Sequence, residues 1–495
     1  MGTRNLSVTF PWLRGMGLMA MLGSLLSVAR AQDAPPPLPV DPNGAAAPAQ
    51  ADPNVEVLTR GPVHEAYAVP VSAGQTTGVI VPRQPANPIE EVPPDMKPEG
   101  GNATWIPGYW SWDDERRDFI WVSGVWRVPP PGFQWMPGYW QEAQGQGFQR
   151  ISGYWMPAHL QETTYLPQPP QNVDIGPTSP APGQNYFWIA GHQQWLGDRY
   201  VWQPGYWTAY QPDWIWVPAT YSWSPGGWVY VPGYWDYPLA RRGLVFSPVY
   251  FAAGPVAVYR PAICLDAGVF GVSLFCRPAY GHYYFGDYYD DRYVAFGIRP
   301  YFYYNSPRVG FDPLFGYYRW YHVDRMGDRE WDRHLVGWHD YYRAHPDMRP
   351  PHTWAAQQRL LASREGMARP DIAQLRMVGD VHVVARMPGA SVRLQVVSPG
   401  ERAHIQEAAR ASVRSEAERR QVERQVGGAG SRGAQKVSLS TMPTYKAAAA
   451  ARPASAAGRP AGGATAGSSQ GRAPARPAST TRSRASDKDK EKEKR

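Results

Sequence analysis

The chain has 495 residues, among them 52 Pro, 49 Gly, 22 Trp and 30 Tyr. Pro and Gly, about a fifth of the chain, exclude a long-helix or coiled-coil protein, because both break helices while aromatic residues favour strands. The formal charge of +8 is unevenly spread: residues 427–495 carry a net +10, residues 1–31 three Arg and no acid, and residues 32–426 a net −5. A specific nucleic-acid surface interleaves cations and aromatics on one face; here they occupy different segments, which argues against one.

Residues 1–31 read as a secretory signal. Arg4 and Arg14 precede an apolar run over residues 15–28, and Ala29-Arg30-Ala31 supplies an A-x-A cleavage pattern before Gln32. The run is shorter than the ~20 residues of a membrane span, so the expectation is an exported protein, periplasmic or otherwise in the cell envelope or outside it. Residues 32–100 hold 15 Pro and no helical periodicity, and read as an extended, disordered spacer.

A recurring hexapeptide organises residues 101–240. The first block, residues 101–160, contains Trp105-Ile-Pro-Gly-Tyr-Trp110, Trp121-Val-Ser-Gly-Val-Trp126, Trp135-Met-Pro-Gly-Tyr-Trp140 and the degenerate Arg150-Ile-Ser-Gly-Tyr-Trp155. After a Pro-rich linker, residues 161–184, the second block spans 185–240. It contains Trp188-Ile-Ala-Gly-His-Gln193, Trp202-Gln-Pro-Gly-Tyr-Trp207, Trp216-Val-Pro-Ala-Thr-Tyr221 and Tyr230-Val-Pro-Gly-Tyr-Trp235. Starts recur every 14 to 16 residues, and internal repetition at fixed period marks a repeat architecture. Aromatics two residues ahead of the motif (Phe119, Phe133, Phe148, Tyr186, Tyr200, Trp214, Trp228) give the period of a strand face. Polar turns separate the units at Asp113-Asp114-Glu115, Gly145-Gln-Gly147, Gly197-Asp198, Gln211-Pro212-Asp213 and Ser224-Pro-Gly-Gly227. The central Pro-Gly allows either a type II turn, making Trp105 and Trp110 cross-strand neighbours with stacked indoles, or a bend inside a longer strand with Gly at positive φ. The bent meander is the favoured expectation.

These hexapeptides resemble the WXXGXW (YXWGXW) repeat family of exported bacterial envelope proteins, over about residues 105–235. The resemblance implies an extracytoplasmic location and brings no established activity or ligand. Arg150, Gln193 and Ala219 depart from the pattern.

Residues 241–345 carry 16 Tyr and read as short strands. The only cysteines, Cys264 and Cys276, flank a glycine-containing centre at Gly268 and Gly271. A hairpin there would set them opposite each other as a disulfide suited to an oxidising compartment, the alternative being two buried thiols. In residues 346–426 the expectation is a helix over 353–364, a hairpin over 381–397 around Pro388-Gly389, and a mostly solvated helix from a Ser398-Pro-Gly-Glu401 capping box to Val426. Residues 427–495 lack core formers and read as a disordered basic tail.

The fold expectation is thus mainly β: Trp-rich repeat strands in antiparallel sheets or a meander, a Tyr-rich β region, C-terminal helices, and disordered N- and C-terminal segments. His282, Asp287, Asp290, Asp291, His334, His339 and His345 are the tempting metal or catalytic cluster, but their spacing matches no metal motif. No catalytic residue, metal or cofactor is expected. The repeat aromatics Trp105, Trp110, Trp121, Trp126, Trp135, Trp140, Trp155, Trp188, Trp202, Trp207, Trp216 and Trp235 are either buried framework or an exposed sugar-stacking face. The functional expectation is a non-enzymatic envelope scaffold for protein assembly or surface structure. The alternatives are a glycan- or peptidoglycan-binding module and, far behind, a metal-dependent hydrolase. Expected partners are an envelope protein or polysaccharide, with weak contact of the basic tail to anionic polymer or lipid.

Overall fold

The hexapeptides fold in pairs. In the computed structural model, Trp105 stands opposite Trp126 and Trp110 opposite Trp121, so the first motif runs antiparallel to the second in one long hairpin. The same pairing sets Trp135 against Trp155 and Trp140 against Arg150, Trp188 against Trp207 and Gln193 against Trp202, and Trp216 against Trp235 and Tyr221 against Tyr230. The structural unit is therefore two motifs, and four hairpins result. Position one of each motif always meets position six of its partner.

Each arm is broken at the central dipeptide. Thr104–Ile106 and Tyr109–Asp113 form one arm of the first hairpin, Asp118–Val122 and Val125–Arg127 the other. A Pro in the third position has no N–H for the ladder, which interrupts pairing there. The bend inside a longer strand is thus the observed geometry, and the type II turn is not. The motif glycines, however, do not take positive φ. They are small because an indole lies on them: a Cβ on Gly108 would fall closer than 3.0 Å to the Trp121 ring, and one on Gly124, Gly153, Gly191, Gly205 or Gly233 would equally strike the first Trp of the partner motif. Ala219 breaks the rule where the residue opposite is Tyr230 rather than Trp. The indoles meet edge to face, not stacked, with ring centroids 5.2 to 5.5 Å apart in five Trp–Trp pairs. Such pairs add ~0.5–1.5 kcal/mol each beyond area burial.

The structure describes residues 54–70, 77–100, 102–172, 176–266, 270–304, 312–363, 375–384, 392–428 and 433–439. The signal segment 1–31, the start of the spacer, the Pro388-Gly389 turn and most of the basic tail lie outside the described residues. All described residues belong to one unit, residues 52–495.

Several expectations are corrected within it. The described part of the spacer is built into the fold. Val55–Val57 pairs with Val249–Phe251, Gly61–Pro62 with His282–Phe285, and Ile80–Val81 with the second hairpin; Glu90–Glu91 and Met96–Pro98 pair with Val258–Tyr259 and Leu394–Val396. Short Pro-bounded strands suit sheet edges, where a missing donor faces no neighbour. Linker residues Glu162–Leu166 lie between Gly227–Val231 and tail residues Gln435–Ser438 in one sheet. The hairpin over 381–397 does not form: Val381–Val384 is a helical turn, and Leu394–Val396 pairs with Met96–Pro98 instead. The Tyr-rich region is not all strand, since Pro313–Arg319, Trp320–Arg325 and Trp331–Ala344 are helical.

The expected C-terminal helices are Trp354–Ser363 and Pro399–Gly428. Ser398 Oγ accepts from the Glu401 N–H at 3.3 Å, while the Glu401 carboxylate pairs with Lys97 rather than closing the capping box. The long helix packs along one stripe, Ala409, Ser412, Ser415, Arg419 and Glu423 being buried, while its other faces are half-buried or exposed. Among the described residues no helix is long and apolar enough to cross a membrane.

Hydrophobic clusters tie the segments together. Trp105 and Trp126 share one with Leu244, Phe246, Cys264, Val381, Val397 and Ala409. A tyrosine-rich one gathers Phe275, Tyr284, Tyr288, Tyr289, Tyr293 and Tyr342.

Candidate functional site

Burial separates the repeat aromatics by block. Trp105, Trp110, Trp121, Trp126, Trp135 and Trp155 are core residues, Trp105 and Trp126 being only 1% and 0% exposed. Trp140 is half-buried. In the second block Trp188, Trp202, Trp207 and Trp216 are half-buried, Trp235 is buried, and Tyr206 is 46% exposed. A fully buried Trp removes ~150–250 Å² from water, worth several kcal/mol at ~25 cal/mol/Å². That area stabilises strands too short to hold by pairing alone.

The bends leave backbone groups outside the ladder, and buried charges satisfy them. At the first hairpin the Glu91 carboxylate accepts from Gly108 N–H (2.8 Å), Gly124 N–H (2.9 Å) and Trp121 Nε1–H (2.7 Å). Burial pushes its pKa up to about 7, against three donors that favour the ionised form. At the second hairpin Arg419, from the long helix, donates to the carbonyls of Pro137 (2.8 Å) and Ser152 (3.1 Å) and pairs with Glu423 at 2.8 Å. The Tyr139 and Tyr165 hydroxyls also donate to Glu423. Sequence reasoning missed these groups; the adjacent pair Glu90-Glu91 in an apolar setting was the only hint.

A second buried cluster lies beside the first hairpin. His64 Nε2 is 3.0 Å from the Pro107 carbonyl, and the Tyr109 hydroxyl is 2.6 Å from His282 Nε2. Arg150, standing where a Trp would open the fourth motif, pairs with Glu65 at 2.7 Å and lies 4.2 Å over the Tyr109 ring. Burial lowers both His64 and His282 to about 4, so both are neutral at pH 7. Glu65 is held below the usual carboxylate range, its burial outweighed chiefly by the Arg150 guanidinium. Tyr109 and Arg150, at the edge of this cluster, also line the cleft beside the long helix.

Between the first two hairpins and the long helix opens a cleft of about 700 Å³. Trp110, Trp121 and Trp140 contribute one wall, and Glu416, Arg420 and Arg424, each one helical turn apart, the other. The Trp140 indole N–H donates to the Trp110 carbonyl at 2.8 Å, fixing that ring. Arg420 and Arg424 are exposed and form no ion pair among the described residues. Glu416 is half-buried, and burial raises its pKa.

The His/Asp set of the sequence does not come together. His282 is buried against Tyr109 and the Tyr280 carbonyl; Asp287 pairs with His352 at 2.8 Å. Asp290 caps the short helix Asp291–Ala295, and Asp291 pairs with Arg343. His339 packs on Phe275 and Tyr289, and His345 stacks on Tyr341. Among the described residues no three His, Cys, Asp or Glu side chains converge on one point. Cys264 and Cys276 are buried free thiols in separate sheets, one strand pairing with Val378–Asp380 and the other with His282–Phe285, so the hairpin disulfide does not form. Burial raises both thiols well above their ordinary range, which keeps them unreactive.

No curated protein and no solved structure matches the chain. The family described as WXXGXW repeat (2 copies) matches residues 104–127, 183–208 and 212–235. Each matched segment coincides with one hairpin, the first, third and fourth, and each holds two motifs, in keeping with the two copies of the family. The second hairpin, with Arg150 in the first Trp position, lies outside the matches. By these three segments the chain carries WXXGXW repeats between residues 104 and 235.

Proposed function

We propose that this is a non-enzymatic, exported envelope protein whose repeats build a rigid scaffold for protein assembly or surface structure. The observation that carries the reading is the mutual lock of the motif: first Trp over the partner's Gly, edge to face with the partner's last Trp. Residues committed to each other in this way are framework, and they leave the faces of the scaffold for partners. The signal-like residues 1–31 support export. N-terminal sequencing of the mature chain from an envelope fraction is expected to begin at Gln32, and cross-linking in that fraction to capture a stable assembly. A cytoplasmic chain starting at Met1, or a protein that is only ever monomeric, would overturn it.

A glycan-binding role is the second reading, favoured by the half-buried Trp188, Trp202 and Trp207 and by Tyr206 in the third hairpin. Tyr206→Ala, at a side chain 46% exposed and outside the Trp–Trp lock, should then weaken sedimentation with purified peptidoglycan while leaving the fold intact. The basic tail fits weak, salt-sensitive attachment to anionic polymer or lipid. Since Gln435–Ser438 belongs to a sheet, the deletion that tests this removes residues 440–495, and release of the chain from membranes or wall at low salt is the expected outcome.

A further inference from the structure

We propose that the cleft between the first two hairpins and the long helix binds a carboxylate-bearing oligosaccharide. It rests on the glycan reading for ligand class only, and places the site away from the third hairpin.

Size, cations and aromatics converge there. At about 700 Å³ the cleft lies within the ~300–1,000 Å³ of small-molecule sites. Helix Pro399–Gly428 turns two stripes to the protein. Arg419 and Glu423 go into the core and fix the helix, while Glu416, Arg420 and Arg424, four residues apart and so on one face, line the cleft. The Arg424 Nε–H donates to the Arg420 carbonyl at 3.3 Å, which holds that side chain along the helix. Two exposed guanidinium groups one turn apart, with no carboxylate within ion-pair distance among the described residues, suit carboxylates on successive sugar rings, since the planar fork takes a carboxylate through two parallel hydrogen bonds. Opposite them stands the half-buried Trp140, its ring fixed through Trp110 and braced edge to face by Phe119 at 5.3 Å. A fixed, partly exposed indole offers an apolar face for the C–H side of a sugar. Glu416 and the exposed Glu142 line the cleft beside Arg150, Arg420 and Arg424, so cations outnumber carboxylates there. A neutral sugar would leave both guanidinium groups unused.

The test uses the full chain, trigalacturonate as the acidic probe and maltotriose as the neutral one, read by calorimetry and Trp fluorescence. Trigalacturonate is expected to bind, to weaken as salt rises, and to lose at least tenfold in affinity in the Arg420→Ala/Arg424→Ala variant. Both arginines are exposed, so the melting temperature should be unchanged. Maltotriose should bind at least tenfold more weakly. Absence of trigalacturonate binding, equal binding of maltotriose, or unchanged affinity in the variant would overturn the proposal. Equal affinity for inorganic polyphosphate would do so too, by reducing the cleft to a general anion cradle. Binding lost in Tyr206→Ala but kept in the arginine variant would instead place glycan recognition on the third hairpin.

Discussion

At the residue scale the motif is a statement about one contact. At Gly108, Gly124, Gly153, Gly191, Gly205 and Gly233 a side chain is forbidden because the partner's first Trp lies on the backbone. At Gly138, opposite Arg150, the Ile151 carbonyl forbids it, and at none of these does the chain turn through positive φ. Hairpin four carries the exception and so supplies the test. A Cβ on Gly233 would strike the Trp216 ring, with no carbonyl among its nearest neighbours, whereas Ala219 already carries a Cβ opposite Tyr230. Gly233→Ala is expected to cost ~1–3 kcal/mol by overpacking, and Ala219→Gly less than ~1 kcal/mol. In a double-mutant cycle Trp216→Tyr should offset part of the Gly233→Ala loss. Strict additivity in urea denaturation would show that the ring is not what forbids the side chain. Glu91 gives a second residue-scale prediction. Its folded-state value, about 7, lies above the ordinary 4.5, so the stability it contributes is full below about pH 4.5 and is lost as pH rises through about 7. Glu91→Gln mimics the protonated group and does not titrate. The stability gap between wild type and variant should therefore narrow, or reverse, between pH 4.5 and 7. A gap that widens with pH would mean that the three N–H donors outweigh burial.

At the element scale the long helix shows what the sequence could and could not reveal. Its start was legible, since Ser398-Pro-Gly-Glu401 marks an N-terminus by chemistry local to four residues. Its packing was not, because the buried stripe is Ala409, Ser412, Ser415, Arg419 and Glu423, small and charged residues that hydropathy reads as solvated. Helix Trp331–Ala344 was missed for a related reason. Trp331, Leu335, Trp338 and Tyr342 follow helical spacing, but aromatic content alone reads as strand. Hairpin strands, by contrast, announce themselves through aromatics two apart. In the helix the decisive pair is Arg419–Glu423, fully buried at 2.8 Å. Glu423→Ala leaves Arg419 buried without its counter-ion and should cost ~3–5 kcal/mol. Adding Arg419→Met should recover only part of this, because the Pro137 and Ser152 carbonyls then lose a donor worth ~1–3 kcal/mol when left unsatisfied. A loss below about 1 kcal/mol in the single variant would contradict the assigned role, with urea midpoints as the measurement.

At the scale of the whole molecule the repeats are not a self-sufficient solenoid. In a solenoid each unit contacts its neighbours along the chain and stability sums unit by unit. Here the hairpins are completed by segments distant in sequence: Glu91 fills the first bend, Arg419 the second, and Ile80–Val81 and Glu162–Leu166 extend sheets of the second and fourth. Asp236, at the end of the fourth hairpin, is buried between Arg127 of the first (2.6 Å) and Arg242 (3.2 Å), so even hairpin-to-hairpin contact runs through a closed ion cluster. Such partners are invisible to periodicity, since nothing near Glu91 in the sequence indicates that its ligands are Gly108 and Gly124. The consequence is cooperative folding across residues 54–439. A fragment of residues 101–240, which keeps every motif, would expose the indoles of Trp105, Trp121 and Trp126 and leave the bend N–H groups of Gly108 and Gly124 unpaired. It is expected to lack the sharp near-UV circular dichroism of fixed Trp and to unfold without a cooperative transition, while residues 54–439 retain both. If the fragment alone melts cooperatively with native Trp signals, the repeats are an autonomous domain and the flanking strands only decorate it.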